Sequence, residues 1–172
     1  MVRIYNDFVF LSIETEKKDE EFSPILNFLD NTIYMLYKEQ MTYNCDITKQ
    51  EDKFVVRFPD VPNAITFGKS EEDALYMAQD VLNGILASHI ENGYPISDSK
   101  YTGGHPIEVS PKIAFAIELR KARADRPQKE IAQAAGMTYQ QYQRLENPRK
   151  TNPTLETLWR LQKVFKRPFL AL

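Results

Sequence analysis

A chain of 172 residues with 42% hydrophobic and 27% charged residues has the mix of one or two small folded domains. Its single cysteine, Cys45, excludes an internal disulfide, and two histidines beside it leave too few ligands for a structural zinc site. The net charge of −2 conceals an asymmetry: residues 1–100 carry 9 Lys+Arg against 18 Asp+Glu, whereas residues 101–172 carry 13 against 6.

A basic end is the footprint of phosphate binding, where cations displace condensed counterions, and an acidic end repelled by DNA suits a basic protein partner. No apolar run approaches the roughly 18 residues of a membrane span. The N-terminus shows no small-residue cleavage site, so a reduced, cytoplasmic setting is expected.

The first block, 1–40, opens with the apolar run Phe8-Val9-Phe10-Leu11-Ser12-Ile13, which reads as a strand. After a charged run, Ser23-Pro24 reads as an N-cap with proline at the first helical position. The helix that follows carries Ile25, Leu26, Leu29, Ile33, Leu36 and Tyr37 on one face.

In the second block, β-rich runs at 42–48 and 54–58 flank Lys49-Gln50-Glu51-Asp52-Lys53, a polar segment suited to a hairpin turn. Pro59 and Pro62 place a loop at 59–63, because neither can donate to a ladder, and 64–68 is a third strand. Ser70 begins a helix, with its hydroxyl accepting from the Asp73 N–H and Asp73 reaching back, while Glu71, Glu72 and Asp73 suit the helix dipole. Ala74, Leu75, Ala78, Val81, Leu82, Ile85, Leu86 and Ile90 keep a helical stripe until Asn92-Gly93 stops it. Gly84 inside that stripe costs about 1 kcal/mol against alanine, which predicts a close packing partner there. Residues 94–105 lack apolar periodicity, and 107–109 read as a returning edge strand.

Ser110-Pro111 opens a helix bearing Ile113, Ala116, Ile117 and Ala124, with Arg120, Lys121 and Arg123 near its end. Pro127 starts a second helix with Ile131 and Ala134 facing inward. Ala135-Gly136-Met137 is a tight turn in which Gly136 supplies a left-handed backbone. Thr138 caps a third helix whose buried side is Tyr142 and Leu145. Pro153 and Thr154 open a fourth, with Leu155, Leu158, Leu161, Val164 and Phe165 at helical spacing. Helix, glycine turn and second helix form a unit whose second helix enters a major groove. On the outward side of that helix stand Tyr139, Gln140, Gln143 and Arg144, and glutamine and arginine pair bidentately with adenine and guanine. Gln128, Thr138, Asn147, Arg149 and Lys150 are expected at phosphates, with Gln128 aided by the free N–H groups of its helix start.

The ordered set Leu119-Arg120-Lys121-Ala122-Arg123, Gln128-Lys129-Glu130-Ile131-Ala132, Ala135-Gly136-Met137-Thr138 and Arg144-Leu145-Glu146-Asn147 resembles the phage-repressor-type (Cro/C1, or XRE) helix-turn-helix. The resemblance covers about 113–165. It implies base contacts for Tyr139, Gln140 and Arg144 and phosphate contacts for Gln128 and Asn147. Pro148 follows Asn147 where that family usually has glycine.

A second resemblance runs from Met41. Phe54-Val55-Val56-Arg57-Phe58-Pro59-Asp60-Val61-Pro62, Thr66-Phe67-Gly68, the Ser70–Asp73-Ala74-Leu75 helix start and Glu91-Asn92-Gly93-Tyr94-Pro95-Ile96 look like the HicB antitoxin domain. Asn63-Ala64 stands where many members have Gly-Cys. The resemblance implies a truncated ribonuclease-H-like fold and a type II antitoxin that masks HicA, a small basic mRNA-cleaving toxin, while its C-terminal domain represses their operon. The 5 Lys+Arg and 10 Asp+Glu of residues 41–100 suit such a partner. Antitoxins of this kind normally begin at the position of Met41, so 1–40 is an addition. It reads either as a genuine extra strand and helix or as translation from an upstream start.

The expected architecture is α+β. A small antiparallel β-sheet carries one packed long helix, and an all-α helix-turn-helix domain follows. The expected divisions are an extension at 1–40, the HicB-like domain at 41–100, a linker at 101–110 and the DNA-binding domain at 111–172. Asp46, Asp52, Asp60 and Asp73 are available for the two-metal chemistry of ribonuclease H, yet Asp52 sits in a turn and Asp73 in a helix cap. His89 and His105 lack partners at convincing spacing. Neither catalysis, a metal nor a cofactor is therefore expected. Double-stranded operator DNA, a HicA-like toxin and a second copy of the chain are the expected partners, with no membrane. The alternative is a stand-alone transcription regulator whose middle domain binds another ligand or protein.

Overall fold

The computed structural model describes residues 40–167 and 169. The strand expected at 8–13 and the helix expected after Ser23 fall outside the described residues.

Four strands make one antiparallel sheet: β1 (Thr42–Gln50), β2 (Lys53–Arg57), β3 (Ile65–Gly68) and β4 (His105–Glu108), in the order β3-β2-β1-β4. Period-two alternation decides which face is buried. Tyr43, Cys45, Val56 and Ile107 point into the core, while Arg57, Ile65 and Phe67 point away from it. The hairpin turn contracts to Glu51-Asp52, because Gln50 pairs Lys53, and Glu51 takes the positive φ of 52° that so short a loop demands. Burial, with Asp46 beside it, pushes the Cys45 thiol up to about 11, which makes it a core side chain rather than a nucleophile.

The long helix α1 (Glu71–Asn92) lies across the inner face of the sheet, burying Ala74, Ala78, Leu82, Leu86, Ala87 and Ile90. Each leucine buried there contributes roughly 1.5–3 kcal/mol. Gly68 lets β3 end directly beneath the helix start, since a Cβ there would sit 2.2 Å from the Ala74 nitrogen. Ser70 caps the Asp73 N–H at 3.1 Å as expected, but Asp73 reaches back to the Lys69 N–H at 2.8 Å rather than to that of Ser70. The close partner expected at Gly84 is absent: a Cβ there would meet nothing within 4 Å. That face of the helix is turned away from the sheet.

Residues 94–104 carry no regular structure, but polar bonds tie them to the sheet. Asp60 accepts from the Lys100 and Tyr101 N–H groups, each at 2.6 Å, and the Tyr101 hydroxyl donates to Asp46 at 2.7 Å. Tyr43 donates to the Ser97 carbonyl at 2.6 Å, and Asn44 to that of Gly103 at 2.8 Å. Of the stretch expected as a linker, 101–110, residues 105–108 form β4, paired with β1 from Thr42 to Cys45. Asp46 and Asp60 thus hold a strap against the sheet, and no metal-binding cluster of carboxylates occurs among the described residues.

Four helices follow: α2 (Pro111–Arg123), α3 (Gln128–Ala134), α4 (Tyr139–Leu145) and α5 (Leu155–Phe165). Helix α2 belongs to both halves. Its Ile113, Ala116 and Ile117 complete the core under the sheet, while Leu119 joins Ile131, Ala132, Ala135, Tyr142, Leu145 and Leu161 in a second core. Three apolar assignments shift. Ala124 is the exposed C-cap of α2 at φ 51°, not part of its buried face. Ala132 is buried in α3 where Ala134 was expected, because the short helix turns its 131–132 side inward. Leu155 is 75% exposed, since α5 buries Leu158 and Leu161 on the other side.

Candidate nucleic-acid interface

The turn between α3 and α4 is where local sequence acts most directly. Gly136 takes φ 63°, a left-handed conformation that an L side chain resists, and this reverses the chain within three residues. Thr138 then starts α4 with a full capping box. Its hydroxyl accepts from the Gln141 N–H at 3.2 Å, and its own N–H donates to the Gln141 side chain at 2.8 Å. Tyr142 and Leu145 anchor the inward side of α4, which leaves Tyr139, Gln140, Gln143 and Arg144 exposed on the outside. Tyr139 is 45% exposed, and Gln140, Gln143 and Arg144 are exposed as well. The four side chains offer donors and acceptors on the surface of one two-turn helix.

Beneath α4 lies a polar network that local pattern reading does not reveal. Glu146, only 6% exposed, receives the Arg123 guanidinium through two bonds, Nε to Oε1 at 2.6 Å and Nη2 to Oε2 at 3.1 Å. Arg123 Nη1 also donates to the carbonyls of Ala124 and Arg126. Gln128 completes the arrangement, with Nε2 donating to Glu146 Oε2 at 2.6 Å. One carboxylate therefore joins the end of α2, the start of α3 and the end of α4. Burial, with Glu146 beside it, raises the Tyr142 phenol far above its ordinary value, so the ring stays neutral.

The expected phosphate ligands are distributed around this network. Gln128 spends one amide proton on Glu146, and its second N–H remains. The Thr138 oxygen is occupied as a cap, but its O–H proton is still available to a phosphate oxygen. Asn147 shapes the following loop: Oδ1 accepts from the Arg149 and Lys150 N–H groups at 3.0 Å each, a side-chain-closed turn compatible with Pro148. Arg149 does not point freely outward. Its Nε donates at 2.8 Å to Glu91, at the end of α1. Lys150 is exposed. Gln143, Asn147, Gln128 and Arg123 also line a cleft against the C-terminal end of α1 at Ile90–Gly93, where Arg120 donates to the Ile90 carbonyl.

Comparison with known proteins agrees with both halves. A family model described as a HicB-like antitoxin of a bacterial toxin–antitoxin system matches residues 42–110, and a helix-turn-helix model matches residues 117–172. The curated protein Antitoxin HicB 2 of Photorhabdus laumondii is 30% identical over 109 residues, covering 62% of this chain and 78% of the relative.

Proposed function

Because the chain belongs to the HicB antitoxin family and ends in a helix-turn-helix DNA-binding domain, we propose that it neutralises a HicA-like mRNA-cleaving toxin and represses its own operon. The sheet with α1, read as the family's truncated ribonuclease-H-like unit, is the toxin-binding half, and the basic end is the operator-binding half. Both work in the cytoplasm.

The observation that carries the DNA half is the outward side of α4. Tyr139, Gln140, Gln143 and Arg144 stand exposed on a capped helix that follows a left-handed glycine turn. In this reading they meet base edges in the major groove, while Gln128, Thr138, Asn147, Arg149 and Lys150 meet phosphates on either side. The buried Arg123–Glu146 pair positions the reading helix without touching DNA. The toxin half is supported by the net acidity of residues 41–100 and by β3, whose Ile65 and Phe67 stay 50% and 56% exposed on the sheet face opposite α1.

The test is direct. The gene should lie beside one that encodes a small basic protein; cells expressing that protein should survive when the chain is co-expressed, and the two proteins should co-purify. The chain should also retard DNA from upstream of its own operon more strongly than random DNA. Operator binding without rescue or co-purification would leave a stand-alone regulator in place of the antitoxin.

A further inference from the structure

The DNA-binding half holds three of its cations against the end of α1 and the strap that follows. Arg149 Nε donates to Glu91 at 2.8 Å, Arg120 Nη1 to the Ile90 carbonyl at 2.5 Å, and Lys121 Nζ to Asp98 at 2.6 Å. Basic side chains from α2 and from the loop after α4 thus converge on the single stretch 90–98. Charge explains the convergence. The last turn of this 22-residue helix carries the negative end of its dipole, and Glu91 adds a full charge there.

That negative end is badly placed for a DNA-binding surface. A cleft of about 510 Å³ has Glu91, Asn92 and Gly93 on one side and Gln128, Gln143 and Asn147 on the other. With Gln128 and Asn147 at phosphates, bound DNA brings its backbone to the rim of this cleft. Charges closer than the ~10 Å screening length of 0.1 M salt still repel. Arg149 therefore stands between two anions, and one guanidinium cannot neutralise both. Its side chain is 68% exposed and that of Glu91 29%, and an ion pair so open to solvent is weak enough for a competing anion to break.

We propose that the Glu91 carboxylate is an internal stand-in for a DNA phosphate, holding Arg149 in the free chain and releasing it when DNA arrives. The antitoxin half thereby lowers the affinity of the DNA-binding half. That exchange rests on the DNA contacts proposed above. It has a signature in salt. A free cation that neutralises one phosphate releases condensed counterions and adds about 0.9 to the slope of log K against log salt. Arg149 leaving Glu91 returns most of that gain, because the stranded carboxylate gathers cations in turn. In the wild-type chain the Arg149 contact is therefore nearly silent in the salt slope.

Fluorescence anisotropy of the full chain with labelled DNA, over about 50–200 mM salt, tests the exchange. The DNA is taken from upstream of the operon and, separately, of random sequence. Glu91→Gln should tighten binding to both about threefold to tenfold at low salt and steepen the slope by about 0.9. Adding Arg149→Ala should remove both gains, and Arg149→Ala alone should cost less than it does beside Glu91→Gln. Glu91→Ala should act in the same direction as Glu91→Gln, with circular dichroism spectra unchanged because the pair is exposed. Weaker binding by a folded Glu91→Gln chain would show that Glu91 presents Arg149 to the phosphate, and overturns the proposal. Unchanged affinity and slope overturn it too. The two readings separate on the two DNAs. If Glu91→Gln tightens binding but neither chain prefers the upstream DNA, the exchange stands and the repressor reading fails. If the wild-type chain prefers the upstream DNA and Glu91→Gln changes nothing, the exchange fails alone.

Discussion

The sheet half buries apolar side chains between one helix and four strands and keeps its carboxylates at the rim, where Asp46 and Asp60 hold a strap. The helix-turn-helix half is smaller, and it places a carboxylate, Glu146, inside, bonded to Arg123 and Gln128. The difference follows from the available material. A 22-residue helix on a sheet offers continuous apolar area, whereas α3 and α4 have seven residues each and little side to bury. Short helices need specific, directional bonds to fix their mutual angle, and a bidentate arginine–carboxylate pair supplies them. The first half is therefore stabilised mainly by burial, and the second depends on polar geometry that also fixes the angle of α4.

The sharpest way to break this comparison is Glu146→Ala. It strands the Arg123 guanidinium in a largely buried site and should cost about 3–5 kcal/mol, read as a lower chemical-unfolding midpoint. Replacing both members, Arg123→Met with Glu146→Leu, should recover most of the stability while degrading operator binding. If Glu146→Ala melts like wild type, the polar account of this half is wrong. The corresponding test of the sheet half is Leu82→Ala, fully buried in α1, with an expected loss of about 2–5 kcal/mol from transfer and cavity terms.

At the surface the effects become smaller and more selective. Arg144→Ala should cost roughly 1–3 kcal/mol on the operator and almost nothing on random DNA, as for a bidentate base contact. Lys150→Ala should weaken both DNAs alike and reduce the salt-dependence slope by about 1. Equal losses on both DNAs for Arg144→Ala would remove it from the readers.

The smallest effect concerns the strap. The Tyr101 and Lys100 N–H groups hold the Asp60 carboxyl below the usual carboxylate range. A depressed carboxyl stabilises the fold above its ordinary pKa, and that contribution is lost as pH falls through the lowered value. The Lys100 and Tyr101 amide resonances should accordingly titrate at acid pH, and Asp60→Asn should remove the titration. Amides that do not respond would show that the strap is held by other bonds.

Several features were legible because they are local. Ser70, Thr138 and Thr154 accept from N–H groups three residues ahead, and Gly93 and Gly136 adopt the left-handed backbone their positions require. The exposed set on α4 followed from helical periodicity once Tyr142 and Leu145 were placed inside. Periodicity failed where a helix was too short to average out its ends. In α3 it favoured Ala134 over Ala132, and in α5 it assigned inward a Leu155 that the helix start leaves outside. The packing predicted at Gly84 failed for another reason, since a glycine's energetic penalty says nothing about which neighbour occupies the space it leaves.

By itself the sequence determined most of the secondary elements among the described residues, several of their caps, the split between an acidic and a basic half, and the polar residue types exposed on α4. Each of these depends on neighbours within a few positions or on sums along the chain. Only the tertiary structure decided that Arg123 meets Glu146 across 23 positions, that Arg149 meets Glu91 across 58, and that Asp60 holds a strap 41 residues away. Those pairings depend on the angles at which helices and strands pack, and no local periodicity encodes them.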